Sequence, residues 1–158
     1  MNTIRELMSH DHRECDDLFV AVEKAVGDRA WDVSATAFGR FSEAMLSHFK
    51  AEESVLFPAF EERTGMRMGP TQVMRGEHMQ MCELIGAAEI ALSAHDASEY
   101  SGYAETLLIM MQQHNMKEEN VLYPMCDQHL DSQLETLMPQ LRQAISHEDA
   151  AAWPTPKS

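Results

Sequence analysis

An eleven-residue pattern occurs twice in this chain, and it limits the fold more than any other feature. His48-Phe49-Lys50-Ala51-Glu52-Glu53-Ser54-Val55-Leu56-Phe57-Pro58 returns as His114-Asn115-Met116-Lys117-Glu118-Glu119-Asn120-Val121-Leu122-Tyr123-Pro124. Both copies read His-x-x-x-Glu-Glu-x-Val-Leu-aromatic-Pro. The offset, from 48 to 114, is 66 residues, and without a gap it also carries His12 onto His78 and Asp11 onto Glu77. Two matching sets of metal-ligating residue types result: His12, His48, Glu52 and His78, His114, Glu118.

Helical periodicity surrounds both sets. A first helix is predicted over about Thr3–Val26, closed by Gly27-Asp28. Its apolar seam is Met8, His12, Cys15, Phe19, Val22, Val26, the spacing of one helix face packed in a bundle. A second helix starts near Asp32 or Ser34 and reaches about Arg63, with seam Phe41, Met45, His48, Glu52, Val55, Ala59. Thr64-Gly65 stops it, and 65–70 reads as a loop. Thr71 serves as the cap of a third helix, Thr71–Ala94, with seam Thr71, Met74, His78, Met81, Ile85, Ala88, Leu92. A fourth, about Glu99–Gln128, carries Leu107, Met111, His114, Glu118, Val121, Met125. Pro58 and Pro124 should kink or loosen their helices one turn after the glutamate. Leu134, Leu137, Met138, Leu141 and Ile145 mark a short fifth helix, bent or interrupted at Pro139. Almost no period-two alternation is present, so a sheet is not expected. The fold class is therefore all-α: an antiparallel up-down four-helix bundle with a short C-terminal fifth helix, pseudo-twofold by its repeat. Residues 1–149 form the domain and 150–158, with two prolines, a loose tail.

All six repeated residues fall on seams, which face the interior. Burying an imidazole or carboxylate without a partner costs several kcal/mol, and two facing carboxylates repel. A pair of metal ions resolves both problems. The i, i+4 spacing sets His48 beside Glu52 and His114 beside Glu118. A mixed nitrogen and oxygen set suits iron or manganese better than calcium, and the absence of Cys-x-x-Cys pairs argues against a structural zinc site. His-Glu-x-x-His is absent, as is the Glu-x-x-His signature of ferritin-like di-iron proteins.

Composition narrows the function classes. The chain has 158 residues and a formal net charge of −14, enough length for one domain. Such acidity argues against nucleic-acid and anionic-membrane partners. No signal-like segment precedes the first helix, and Cys15, Cys82 and Cys126 suggest no disulfide framework. A cytoplasmic location is expected. Among the remaining residues, Glu53 and Glu119 repeat one position off the seam, as candidate acceptors for imidazole N–H groups or as solvated flank. Asp16 and its mate Cys82 are candidate extra ligands. Tyr123, the mate of Phe57, is a candidate hydrogen-bond donor toward a ligand. His10, His95, His129 and His147 are read as surface or loop residues, and the abundant methionines as core filler.

Asp11-His12, His48-x-x-x-Glu52, Glu77-His78 and His114-x-x-x-Glu118 resemble the hemerythrin-like, His-His-Glu cation-binding domains over residues 3–130. The resemblance implies a non-haem di-iron centre in a four-helix bundle. It assigns His12 and His48 to one iron ion and His78 and His114 to the other. Glu52 and Glu118 would bridge the two, together with an oxo or hydroxo group. Two departures from the oxygen carriers stand out: Cys82 replaces a second histidine after His78, and Glu118 follows His114 by four residues where the carriers place an aspartate at five. Family members act in oxygen or nitric-oxide handling, sensing and iron–sulfur repair; the repair members carry an extra cysteine-bearing segment and the sensors a signalling module, neither present here. The expected role is binding of a small ligand (oxygen, nitric oxide or peroxide), with no nucleic acid or membrane partner and at most a weak homodimer. The alternatives are a di-iron redox enzyme and a protein for iron storage or donation.

Overall fold

The computed structural model describes residues 1–146. The expected tail at 150–158 and His147 lie outside the described residues. The described residues are almost all helical. Helix α1 spans Ile4–Gly27 and α2 spans Trp31–Ala51, which continues through a π turn at Glu52–Leu56 into α3, Phe57–Thr64. The second half repeats the plan: α4 at Pro70–Ser93, α5 at Ala97–Lys117, a π turn at Glu118–Leu122, and α6 at Tyr123–His129. A 3₁₀ turn, Asp131–Gln133, leads into α7, Leu134–Ala144. Helices α1 and α2 pack as one hairpin and α4 and α5 as the other, giving the expected antiparallel four-helix bundle. Among the described residues, no helix is long and apolar enough to cross a membrane.

Local chemistry sets the boundaries. Thr3 caps α1: its hydroxyl accepts from the Glu6 N–H, and the Glu6 carboxylate accepts from the Thr3 N–H, a reciprocal arrangement that satisfies two otherwise orphaned donors. Gly27 is still helical. The left-handed residue that turns the chain is Arg29, at φ 56°, whose guanidinium and backbone N–H both donate to the Val26 carbonyl. His95, 66 residues on, has the same φ, and the Trp31 ring lies flat on it at 4.8 Å. Gly65, at φ 75°, ends α3 as expected, in a conformation that costs glycine nothing. Thr71 is not the cap of α4; Gly69 holds that place, with Pro70 first in the helix. Thr71 is buried instead, and its hydroxyl donates to Glu61 Oε2 at 2.6 Å.

The prolines act one step earlier than predicted. A proline has no N–H, and its ring collides with the carbonyl four residues back in an α-helix. Here the turn ahead of each proline widens to π geometry, beginning at the glutamate itself. The Phe57 N–H donates to the Glu52 carbonyl, and the Tyr123 N–H to the Glu118 carbonyl. A π turn adds one residue to the helical circuit, so the buried face advances by one position beyond it. The predicted seam members Val55, Ala59, Val121 and Met125 are displaced by Leu56, Phe60, Leu122 and Cys126. Val121 is 53% exposed while Leu122 is 1% exposed. The extra residue also swings Phe57 and Tyr123 into the core, both fully buried.

Helix α7 passes through Pro139 without interruption, contrary to expectation. Pro139 and Glu135, whose carbonyl loses its partner, both sit on the exposed face, where water can take the freed acceptor. The opposite face buries Leu137, Met138, Leu141 and Ile145.

Two apolar clusters result. One fills the end of the bundle holding Phe19, Phe41, Ile85, Tyr100 and Leu107. The other joins Ile4, Met8, Phe57, Phe60, Tyr123 and Leu130 to the inner face of α7. Met8, Met45, Met74, Met81 and Met111 are all buried in them, as core filler. The six repeated polar residues form the layer between.

The register shift has a measurable signature. Leu122→Ala should cost about 2–5 kcal/mol in denaturant unfolding, and Val121→Ala no more than about 0.5 kcal/mol. The unshifted seam requires the reverse order.

Candidate metal centre

Each of the four long helices contributes one histidine to this layer: His12 from α1, His48 from α2, His78 from α4 and His114 from α5. Glu52 and Glu118 open the two π turns. All six are between 0 and 4% exposed. They assemble into two groups able to hold a metal ion: His12, His48, Glu52, Glu118 and Glu52, His78, His114, Glu118. The two glutamates belong to both. Glu52 turns one oxygen to His78 Nε2, at 2.9 Å, and the other to His48 Nε2, at 3.4 Å. Glu118 turns one oxygen to His12 Nε2, at 3.1 Å, and the other to His114 Nε2, at 3.3 Å. Each carboxylate therefore spans the two groups.

The outer nitrogen of every imidazole is tied to a further carboxylate, always on another segment. His12 Nδ1 lies 2.6 Å from Glu119, His48 Nδ1 2.7 Å from Asp11, His78 Nδ1 2.6 Å from Glu53, and His114 Nδ1 2.8 Å from Glu77. Lys117 in turn binds the second oxygen of Glu77. An ionised carboxylate only accepts, so each Nδ1 donates. That fixes the ring orientation and leaves each Nε2 pointing inward, as in metal sites whose histidines are held by outer carboxylates. Glu53 and Glu119 thus act as the imidazole acceptors anticipated from their spacing. Asp11 and Glu77 do the same, and their role was not anticipated. The signal was available: they precede His12 and His78 and share the 66-residue offset.

Apart from the Tyr123 hydroxyl, the inward face offers no donor of its own. Each neutral Nε2 is an acceptor facing carboxylate oxygens, which are acceptors too. Only protons or cations can sit between them. Without a cation, the imidazoles must carry the charge. Burial alone would push His48 down, but the carboxylates of Glu52 and Asp11 hold it well above the ordinary imidazole value. Burial likewise opposes charge on His12, and Glu118 and Glu119 outweigh it. His114 is raised to about 9 against the same burial penalty, chiefly by Glu118. Burial would raise Glu52, yet the charge of His48 draws it well below the usual carboxylate range. Protons satisfy the layer poorly: His114 Nε2 and Glu118 Oε2 are buried 3.3 Å apart, and neither makes a well-formed hydrogen bond to the other or to any other group. An orphaned nitrogen and an orphaned oxygen aimed at one space are what a cation between them would pair. The donor set fits a metal with mixed nitrogen and oxygen preference.

Tyr123 enters the same layer. Its hydroxyl oxygen is 2.5 Å from Glu52 Oε2 and 2.7 Å from Glu118 Oε1. It is also 3.2 Å from His12 Nε2 and 3.3 Å from His48 Nε2. Its mate Phe57 lies against the His78 ring, at 5.8 Å and 16°. Asp16 and Cys82, the candidate extra ligands, do not join either group and are exposed, because both lie on the outward flank of their helices. His10 pairs with Glu14 at the surface, and His95 and His129 are exposed, as expected.

Comparison with known proteins agrees with this geometry. No curated protein and no solved structure matches the chain significantly. A family model, the hemerythrin HHE cation binding domain, matches residues 3–126, a span that takes in all six residues of the buried layer and their four outer carboxylates. The chain belongs to the hemerythrin HHE cation-binding domain family.

Proposed function

We propose that this protein is a non-haem di-iron protein that takes up a small ligand, oxygen, nitric oxide or peroxide, at a His/Glu-bridged centre. His12 and His48 would hold one iron ion and His78 and His114 the other, with Glu52 and Glu118, which belong to both groups, shared between them. The observation that carries this reading is the inward layer of acceptors facing acceptors, in which His114 Nε2 and Glu118 Oε2 lie 3.3 Å apart with no well-formed hydrogen bond to either. Iron in that setting supplies a redox-active centre with coordination places beyond the protein's donors. The chain's own residues do the rest. Asp11, Glu53, Glu77 and Glu119 hold each imidazole in one tautomer. The apolar clusters on both sides keep bulk water out, which strengthens every charge interaction within. Burial of all six ligands admits only a ligand of a few atoms. The three cysteines are free, which suits a reducing, cytoplasmic setting.

Optical spectra of the anaerobically reduced protein, before and after oxygen or nitric oxide, test this reading. A reversible, distinct adduct is expected. Many turnovers of added peroxide or nitric oxide would identify a redox enzyme instead, and release of iron to a weak chelator within minutes an iron donor.

Metal content gives the second test. His48→Ala or Glu118→Ala should lower bound iron from about two per chain toward one or none, read by elemental analysis, because a lost bridging carboxylate leaves the cations less neutralised. Unchanged iron in either variant contradicts the assignment.

The third is pH dependence. His114 stands at about 9 in the folded chain against 6.5 for a free imidazole. A raised folded value means that its contribution is complete below about pH 6.5 and is lost as pH rises through about 9. In the metal-free protein this amounts to on the order of 3 kcal/mol. Thermal unfolding of metal-free protein should therefore weaken across that window. The iron-loaded protein, whose imidazoles are neutral ligands, should lose little there and release iron as pH falls.

A further inference from the structure

The 66-residue repeat makes the two halves of the centre alike in all six repeated residues, but not in every neighbour. At the position after the repeated Val-Leu, one half has Tyr123 and the other Phe57. Both side chains are fully buried and swung inward by their π turns. Only one of them carries an oxygen.

Where that oxygen sits is informative. For donors about 2.1 Å from one octahedral ion, neighbours at right angles stand about 3.0 Å apart. Tyr123 Oη stands near that spacing from His12 Nε2, at 3.2 Å, and His48 Nε2, at 3.3 Å, and closer, at hydrogen-bonding distance, to Glu52 Oε2, at 2.5 Å, and Glu118 Oε1, at 2.7 Å. Those donors keep it among themselves too, at 3.1 Å for His12 with Glu118 and 3.4 Å for His48 with Glu52. A hydroxyl has one proton to donate and two lone pairs with which to accept, three hydrogen-bond partners at most. This one faces two carboxylate oxygens and two imidazole nitrogens at once, all aimed at the same space. On the other side Phe57 covers His78 and offers no donor.

We infer that Tyr123 is a fifth protein donor, binding as phenolate to the cation held by His12, His48, Glu52 and Glu118, and that this makes the two metal positions unequal. The inference rests on the metal reading above. As the oxygen–metal bond forms, the phenol O–H bond breaks and its proton passes to the solvent; no electron moves. The first position then has five protein donors and one remaining place. The second, with His78, His114, Glu52 and Glu118, keeps four and is the more open to an outside ligand.

The test uses the full chain, reconstituted with ferrous iron and oxidised in air, with iron counted independently of any spectrum. Wild-type protein should show a visible phenolate-to-ferric charge-transfer band and enhanced tyrosine ring modes in resonance Raman spectra. Ring-deuterated tyrosine should shift those modes. Tyr123→Phe should lose the band while retaining its iron, and Phe57→Tyr should raise its intensity about twofold. Two bound irons with no phenolate band in the wild type would overturn the inference and leave Tyr123 a protonated bridge between the carboxylates. So would a band unchanged in Tyr123→Phe. A wild-type chain that takes up no iron would overturn the metal reading and this inference together. If Tyr123→Phe fails to fold, the wild-type isotope shift still decides whether a tyrosine is bound.

Discussion

Acceptors facing acceptors in a buried layer are the constraint on which this structure turns. Four imidazole nitrogens and two carboxylates converge where water is excluded, and such an arrangement is costly unless positive charge lies among them. Protons supply part of it, as the upward displacement of His12, His48 and His114 indicates. They leave His114 Nε2 and Glu118 Oε2 facing each other without a well-formed hydrogen bond. A tightly packed apolar layer at the same level would have needed none of this. The polar layer is thus a local sacrifice of stability, and the apolar clusters above and below are what a 158-residue chain sets against it.

The repeat explains how one local solution serves twice. In each half the second long helix carries a histidine, then a glutamate one turn later, then a proline. The proline cannot continue an ordinary α-helix, and the chain widens ahead of it. Because the widening begins at the glutamate, the histidine and glutamate stay on one face while everything beyond rotates by one position. That rotation brings an aromatic side chain down onto the centre from each half. The proline therefore shapes the site without touching it.

Much of this was legible in the residues. Helical period, the 66-residue offset and the placing of His and Glu on seams together specified the bundle and the buried layer, because each depends only on spacing along a helix. The readings that failed share a cause. Val55 and Val121 were assigned to the core by a period of 3.6 that the π turns interrupt, and no periodicity argument counts a residue inserted by backbone geometry. Thr71 looked like a cap because capping is a local preference, whereas its actual partner, Glu61, comes from another helix. Pro139 looked like a break because the sequence does not say which face of α7 meets water. Asp16 and Cys82 were placed near the site by adjacency along the chain, and the helix turned them outward. Asp11 and Glu77 lay in plain view, paired by the same offset. They were passed over because a residue next to a ligand in sequence points elsewhere on its own helix, and only packing reveals that it reaches the histidine of a neighbouring one.

Those outer carboxylates have a mechanical side. His12 on α1 is tied to Glu119 beyond the end of α5, His114 on α5 to Glu77 on α4, His78 on α4 to Glu53 beyond the end of α2, and His48 on α2 to Asp11 on α1. Followed in order, the ties close on themselves and pass once round the bundle. They form a hoop at a single level, so no two helices can part there without breaking a link. Opening the bundle at that level therefore breaks more links than fraying it at either end, and amide hydrogens in the turns beside the histidines should be among the last to exchange.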